Sequence, residues 1–412
     1  MSFIYQLSIR FYFLVARIYA SFNEKAKLFV EGQKRTFPYL ESQILHDKPI
    51  IWVHCASLGE FEQGRPLIEQ IKNEYPDYRI LLSFYSPSGY EVRQNYPKAD
   101  YICYLPLDTP KNAKKFIDLV DPEKVFFIKY EYWYNYLRVL NDQKIPLYLV
   151  SAIFRPEQAF FKKGIRGYWY RKMAKMVTHF FVQNQQSVEL LSKIGMTNCT
   201  LTGDTRFDRV AEIADKSKVL PKIEQFKNGE KLIVAGSTWQ PDEALFMDYL
   251  KQNPKTKIIF VPHEVRESNI KRLVEQFPTE AIRYSLSEGL NLSLHRILVV
   301  DTVGLLSSIY RYATVAYVGG GFGVGIHNTL EAAIYNIPVL FGPNHSKFQE
   351  AVNLVKEGVA FPVSNSEELI NRLNPLMMDE KLRENIATNC HKFMAQNLGA
   401  TQQVLQKVFN IV

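Results

Sequence analysis

Short apolar runs recur along this chain, each followed by a stretch long enough for a helix. They fall at 50–54, 80–84, 125–128, 147–150 and 180–182, and again at 231–235, 257–261, 297–300, 315–318 and 338–341. Such runs are the mark of strands covered on both faces, so each series predicts a parallel sheet wrapped by crossover helices. Residues 201–226, with TGDTRFD and a charged stretch, break the rhythm and read as the link between halves. A length of 412 residues and 47% hydrophobic content suit two or three domains with sizeable cores. The expectation is two doubly wound α/β domains with a cleft between them. Ligands in such sheets sit beyond the carboxyl ends of the strands.

The most constrained of those ends is VAYVGGGFGVGIHNTLEAA, residues 315–333. Gly319, Gly320, Gly321, Gly323 and Gly325 make a loop nearly bare of side chains, and His327, Asn328 and Thr329 open an expected helix through Ala333. Strand, glycine loop and helix bring backbone N–H groups and a positive helix end to a phosphate. Glu331, one turn in, can reach ribose hydroxyls. A tight turn explains two or three of these glycines without a ligand. The spacing matches neither GxGxxG nor GxxxxGK[ST].

Other polar groups cluster at strand ends. HCASLGE, 54–60, suits a tight turn at Ser57 and Gly59, with Glu60 at a helix mouth. Glu60 there is either a general base, kept ionised by the helix end, or a capping glutamate. In KYEYWYN, 129–135, Glu131 sits among aromatic residues and asks for a partner. Tyr132, Trp133 and Tyr134 either stack on a sugar or form core. Ser237 and Thr238 follow one strand, and His263 and Arg266 the next. No DxD sequence and no metal-spaced His/Asp cluster occurs, so a metal-held sugar nucleotide is disfavoured. Positive charge at a leaving phosphate falls to helix ends and to Arg266 or Arg206.

A net charge of +8 calls for an acidic partner, whether nucleic acid, anionic lipid or a phosphorylated substrate. Four widely spaced cysteines read as free thiols in a reducing cytosol. Residues 3–22 are apolar but interrupted by Arg10 and Arg17, which does not support a clean spanning helix. A helix lying in a membrane surface fits, and so does one packed on the protein. Lys162, Lys163, Arg166, Arg171, Lys172 and Lys175 interleave with Tyr168, Trp169 and Tyr170. They form either a solvated basic face or a surface for anionic headgroups.

Taken in order, HCASLGE, DPEKVFFIKYEYWYN, KIPLYLVSAIF, TGDTRFD, AGSTW, PHEVR, DTVGLL and GGGFGVGIHNTLEAA with IPVLFGP resemble bacterial 3-deoxy-D-manno-octulosonic acid (Kdo) transferases nearly end to end. The resemblance implies a GT-B fold, two Rossmann-like domains facing a central cleft, with a membrane-associating helix at 1–22. It implies an acceptor domain over 23–205, a linker over 206–228 and a CMP-sugar domain over 229–412. It implies inverting transfer of Kdo from CMP-Kdo to a glucosamine hydroxyl of the lipid A precursor, lipid IVA, in lipopolysaccharide synthesis. No metal and no cofactor is implied, and no nucleic acid. The place implied is the anionic cytoplasmic face of the inner membrane. Glu60 becomes the base, with Glu131 and Arg206 beside it as catalytic candidates. Ser57, Gly59, Ser237, Thr238, His263, Arg266, Gly319, Gly320, Gly321, His327, Asn328 and Glu331 become binding candidates.

The chain departs from the family's pattern at Lys129, where Glu is usual, and at Tyr134, where Pro is usual. Arg206 stands for Lys and Trp239 for His. These departures mark a divergent branch or altered acceptor chemistry. Two other readings remain: another GT-B enzyme, such as an epimerase or different glycosyltransferase, or a non-catalytic glycolipid-binding relative. Lys129 points to the binder, while Glu60 and the glycine loop argue against it.

Overall fold

The apolar runs of the first half are strands, and the sheet they build has seven members rather than five. The computed structural model describes residues 2–409. The first sheet contains β1 (Ile50–Cys55), β2 (Arg79–Phe84), β3 (Tyr101–Tyr104), β4 (Pro122–Ile128), β5 (Leu147–Ala152), β6 (His179–Val182) and β7 (Cys199–Leu201). Its order is β3-β2-β1-β4-β5-β6-β7, parallel throughout. The second contains β8 (Leu232–Thr238), β9 (Lys257–Pro262), β10 (Ala281–Arg283), β11 (Ile297–Val299), β12 (Val315–Val318), β13 (Val339–Phe341) and β14 (Ala360–Pro362). Its order is β10-β11-β9-β8-β12-β13-β14, also parallel.

The strands absent from the apolar pattern, β3, β7, β10 and β14, are the four sheet edges. An edge strand pairs on one side only. Three of the four are also only partly buried, so they need no continuous apolar run. Interior strands send alternate residues to opposite faces. Trp52 and Phe127 enter one core of the first sheet, and Ile51, Val53 and Phe126 enter the other.

Each sheet reverses its strand order once, between β1 and β4 in the first and between β8 and β12 in the second. Connections there leave toward opposite faces and open a crevice at the carboxyl ends of the strands. Residues 55–60 and 129–133 flank the first crevice. Residues 237–239 and 319–325 flank the second.

One unit comprises Met1–Arg209 with Leu398–Val412, the other Val210–Asn397. The boundary falls inside the helix Arg206–Asp215, and the stretch expected as a linker, 206–228, also holds the helix Pro221–Lys227. The final helix, Ala400–Phe409, belongs to the first unit. Its Val404, Leu405 and Val408 join the core of Ile51 and Phe126. Asp208 caps it, accepting from the Gly399 and Thr401 N–H groups at 2.6 and 2.7 Å. Residues 24–43 form a helix capped by Asn23.

The first helix, Ser2–Tyr19, has two apolar faces. Tyr5, Ile9, Phe13 and Ala16, spaced at helical intervals, pack on the first unit. Phe3, Ile4, Leu7, Phe11, Leu14 and Ile18 are exposed. Among the described residues no helix is long and apolar enough to cross a membrane. Cys55, Cys103, Cys199 and Cys390 are free.

Candidate functional site

In the first unit, β1 ends at Cys55, and Ser57 caps the helix Leu58–Glu74. The Ser57 oxygen accepts the Gly59 N–H at 3.2 Å, and its hydroxyl donates to one oxygen of Glu60. The other oxygen of Glu60 faces the Lys129 ammonium at 3.6 Å. Glu60 thus takes part in the cap through Ser57, yet its carboxylate stands at the reversal point between β1 and β4. A side chain at Gly59 would meet only Ser57 Oγ, at 3.7 Å, so this position is open.

Behind Glu60 lies a buried polar chain. Trp52 donates to Ser83 Oγ at 2.8 Å, and the same oxygen contacts His54 Nδ1 at 2.8 Å. His54 Nε2 accepts from Trp133 at 3.3 Å and lies 3.6 Å from Glu131. Glu131 thus stands against the buried His54 ring. Tyr132 packs on Phe160, Trp133 on Tyr85 and Tyr134 on Trp169. Tyr134 is buried in the core, and Tyr132 and Trp133 pack against it partly exposed.

Arg206 is clamped to Asp204, with Nη2 at 2.7 Å and Nε at 3.0 Å from one carboxylate oxygen. Burial opposes the charge of Asp204, but the guanidinium outweighs it and holds the carboxyl below its usual range. Gln63 donates to Asp204 at 3.0 Å, and Thr205 donates to the Gln63 carbonyl at 2.6 Å. Arg206 is thereby tied to the helix that carries Glu60, one turn further along.

In the second unit, the turn after β8 and the loop after β12 are pressed together. A Cβ at Gly319 would lie 2.3 Å from the Ser237 carbonyl oxygen, and one at Gly321 2.5 Å from Gly342 Cα. Gly320 has φ +92°, where glycine alone is unstrained. Buried Asp242 joins the two segments, accepting N–H groups from Trp239 at 2.9 Å and Gly320 at 3.0 Å and the Tyr317 hydroxyl at 2.8 Å. Thr238 donates to buried Glu243 at 3.1 Å.

Three rings stack beside this loop. His263 lies 4.2 Å from His327 and 4.9 Å from Trp239. The Trp239 indole donates to His327 Nε2 at 3.3 Å. Burial, and then neighbouring His263, push the His327 pKa down to about 4, so the ring is neutral at pH 7. Its proton then belongs on Nδ1. Asn328 donates to Glu331 at 3.1 Å, orienting that carboxylate. Arg266 is largely exposed and pairs with Glu264 at 3.2 Å.

The helix expected from His327 onward is a single turn, Leu330–Ala333. Four residues align too few peptide dipoles for a strong positive end. Sequence reading missed Asp242 and Asp204. Asp242 carried one signal, the W-Q-P-D order that places an acid at the third position of a helix. Among the described residues no group of three or more His, Cys, Asp or Glu side chains is placed to hold a metal ion.

Residues 22–209 match the family described as 3-deoxy-D-manno-octulosonic-acid transferase (kdotransferase). A 3-deoxy-D-manno-octulosonic acid transferase from Aquifex aeolicus is 29% identical over 371 residues, covering 86% of this chain and 95% of that one. One from Rickettsia bellii is 25% identical over 367 residues, covering 87% of each. These matches support a Kdo transferase. It is a glycosyltransferase. Its architecture is GT-B, shared with a UDP-GlcNAc 2-epimerase from Neisseria meningitidis at TM-score 0.60 and 14% identity, over 88% of this chain and all of that one, 100%.

Two departures from the Kdo transferase pattern have local explanations. Tyr134 opens the helix Tyr134–Asp142 at the position where proline is favoured. Its ring packs instead on Tyr5 of the first helix, 5.9 Å away. Trp239 supplies the indole N–H that holds His327.

Proposed function

We propose that the protein transfers Kdo from CMP-Kdo to a glucosamine hydroxyl of a lipid A precursor, lipid IVA, in lipopolysaccharide synthesis. The observation that carries this reading is Glu60, a carboxylate at the reversal point of the first sheet in a chain that matches this family. In this reading Glu60 takes the acceptor hydroxyl proton as its oxygen attacks the anomeric carbon. The bond from that carbon to the phosphate oxygen breaks, and CMP leaves with the electron pair. Configuration inverts because attack and departure occupy opposite faces.

The second unit is the donor side of this proposal. The Gly321 N–H meets the phosphate, while Gly319 and Gly320, whose N–H groups are given to the Gly236 carbonyl and to Asp242, shape the loop around it, with Ser237, Thr238, His327 and Asn328 beside them. Glu331 meets the ribose. Fixed dipoles and cations stabilise the leaving group without a metal. Arg206 and Glu131 act through their buried partners, Asp204 and His54, as positioning residues. Arg266 and His263 line the donor side.

The enzyme works on the anionic inner surface of the cytoplasmic membrane in this reading. The exposed apolar face of the first helix supports it. So does the basic helix Gly164–Ala174, whose Trp169 touches Tyr5 of the first helix at 5.3 Å. Lys162, Lys163, Arg166 and Lys172 are exposed there, with Ile165 and Tyr168.

The test is product mass and CMP release from purified protein, CMP-Kdo and tetra-acylated lipid A precursor in detergent, beside Glu60→Gln. Added Kdo mass, with turnover reduced about 10²- to 10⁴-fold in the variant, supports both reaction and base. No CMP release from folded protein would overturn the reading.

A further inference from the structure

The base proposed above is not free. One oxygen of Glu60 accepts from Ser57 and the other faces the Lys129 ammonium at 3.6 Å. With one oxygen held by Ser57, the other is the one left for a hydroxyl, and the ammonium stands against it. Ser57 is fixed by its own cap, because its oxygen also takes the Gly59 N–H. Lys129 is the partner that can move. Its ammonium ends a flexible four-carbon stem. Its side chain is 24% exposed, and 3.6 Å is a loose ion pair rather than a hydrogen bond.

The backbone holds this lysine in an unusual conformation. Lys129 has φ +74°, a left-handed conformation disfavoured for a residue with a Cβ. Its N–H is locked to the Val150 carbonyl of β5 at 2.9 Å. The conformation follows directly on β4, beside the sheet's reversal point. The nearby acid, Glu131, lies against the buried His54 ring, 3.6 Å from its Nε2.

We propose that Lys129 is a substrate-anion receptor that gates the base. This inference rests on Glu60 being the base. An anionic oxygen of the substrate, phosphate or carboxylate, takes the ammonium from Glu60 and leaves that carboxylate oxygen open to the acceptor hydroxyl. The cation thereby ties proton transfer to the arrival of a charged substrate, and it selects against neutral acceptors. Two sources carry such an anion: the phosphates of the acceptor and the carboxylate of Kdo on the donor.

Steady-state kinetics on the full chain, varying donor and acceptor separately, distinguish them. Three variants are compared with the parent. Lys129→Asn removes the charge while tolerating the left-handed backbone. Lys129→Gly does the same should the Asn chain fail to fold. Lys129→Arg retains the charge. The acceptors are tetra-acylated lipid A precursor and its phosphatase-treated form.

Loss of one charge-assisted contact should raise one KM about ten- to hundredfold in Lys129→Asn, with a smaller change in kcat and with recovery in Lys129→Arg. A rise in acceptor KM, with loss of the parent's preference for the phosphorylated acceptor, assigns the anion to the acceptor phosphate. A rise in donor KM, with that preference kept, assigns it to the Kdo carboxylate. Unchanged KM values in folded Lys129→Asn would overturn the gate, as would a fall in kcat alone that Lys129→Arg does not restore. Failure of the parent itself to transfer Kdo would instead overturn the transferase reading, and the gate with it.

Discussion

Asp242 accepts the Gly320 N–H at 3.0 Å across a separation of 78 positions, and so joins the turn after β8 to the glycine loop after β12. The same carboxylate holds the Trp239 N–H and the Tyr317 hydroxyl. Truncation to Ala leaves three donors, two of them buried, without an acceptor. Asp242→Ala should destabilise the fold by about 3–5 kcal/mol. Asp242→Asn keeps one acceptor oxygen and should cost about 1–3 kcal/mol. If the carboxylate sets the loop for the donor, Asp242→Asn also raises the KM for CMP-Kdo more than that for the acceptor. Thermal melting and donor-varied kinetics check both. Equal rises in the two constants would remove the loop-setting role.

The glycine loop separates close approach from mere flexibility. A methyl group at Gly319 collides with the Ser237 carbonyl oxygen at 2.3 Å, and that oxygen belongs to backbone that cannot swing aside. At Gly323 the nearest atom is 3.6 Å away, an ordinary contact. Gly319→Ala should therefore lose about 1–3 kcal/mol or more through overpacking, together with donor binding. Gly323→Ala should stay within about 0.5 kcal/mol of the parent. Calorimetric titration with CMP, alongside melting curves, tests the pair. Comparable behaviour of the two variants would show that the loop is not packed this way.

Asp108 carries a pH signature. It is 1% exposed and accepts the Tyr5 hydroxyl at 2.5 Å and the Asn135 N–H at 3.1 Å. Burial outweighs these donors and raises its pKa to about 6. A carboxyl with a raised folded pKa holds its proton more tightly when folded. Its contribution is fully present below the unfolded value and is lost as pH rises through about 6. The change amounts to about 2 kcal/mol between pH 4 and 7. Asp108→Asn should flatten that slope in denaturant midpoints. Tyr5→Phe should cost about 1–3 kcal/mol at pH 7, where the carboxylate is charged, and less at pH 4. An unaltered slope in Asp108→Asn would move the titration to another group.

What the sequence made legible follows from how local each signal is. Interior strands such as Ile50–Cys55 and Val315–Val318 are buried on both faces and must be apolar along their length. Their ends located Glu60, the Ser237–Thr238 turn and the glycine loop. Edge strands such as Ala281–Arg283 face no such demand and left no pattern. Asp108 lies in a loop, LPLDTP, and its Tyr5 partner is 103 positions away. No local pattern reports such a pairing, and the same holds for Asp242. Val404, Leu405 and Val408 make an apolar helix face that fits either sheet, so the return of the last helix to the first unit was hidden too. The helix after Asn328 was overestimated because its residues suit a helix, while only one turn is formed.

The first helix offers the remaining test. Leu7, Phe11 and Leu14 are 59%, 65% and 54% exposed, while Ile9 and Phe13 pack on the first unit. Replacing the exposed three by Ser removes little from the folded core, so stability should hold within about 0.5 kcal/mol per site. If that face enters a bilayer surface, each side chain contributes about 1.5–3 kcal/mol when fully inserted, and the triple variant should bind vesicles at least about a hundredfold more weakly. Phe13→Ser should do the reverse, lowering the melting temperature while the lipid-facing residues remain. The exposed cations near Trp169 add a salt-sensitive part, about 1 kcal/mol for each one close to the surface. Flotation with vesicles containing an anionic phospholipid, at low and high salt, reads both contributions. Vesicle binding that survives the triple substitution, or that is indifferent to lipid charge and salt, would remove this surface from the mechanism.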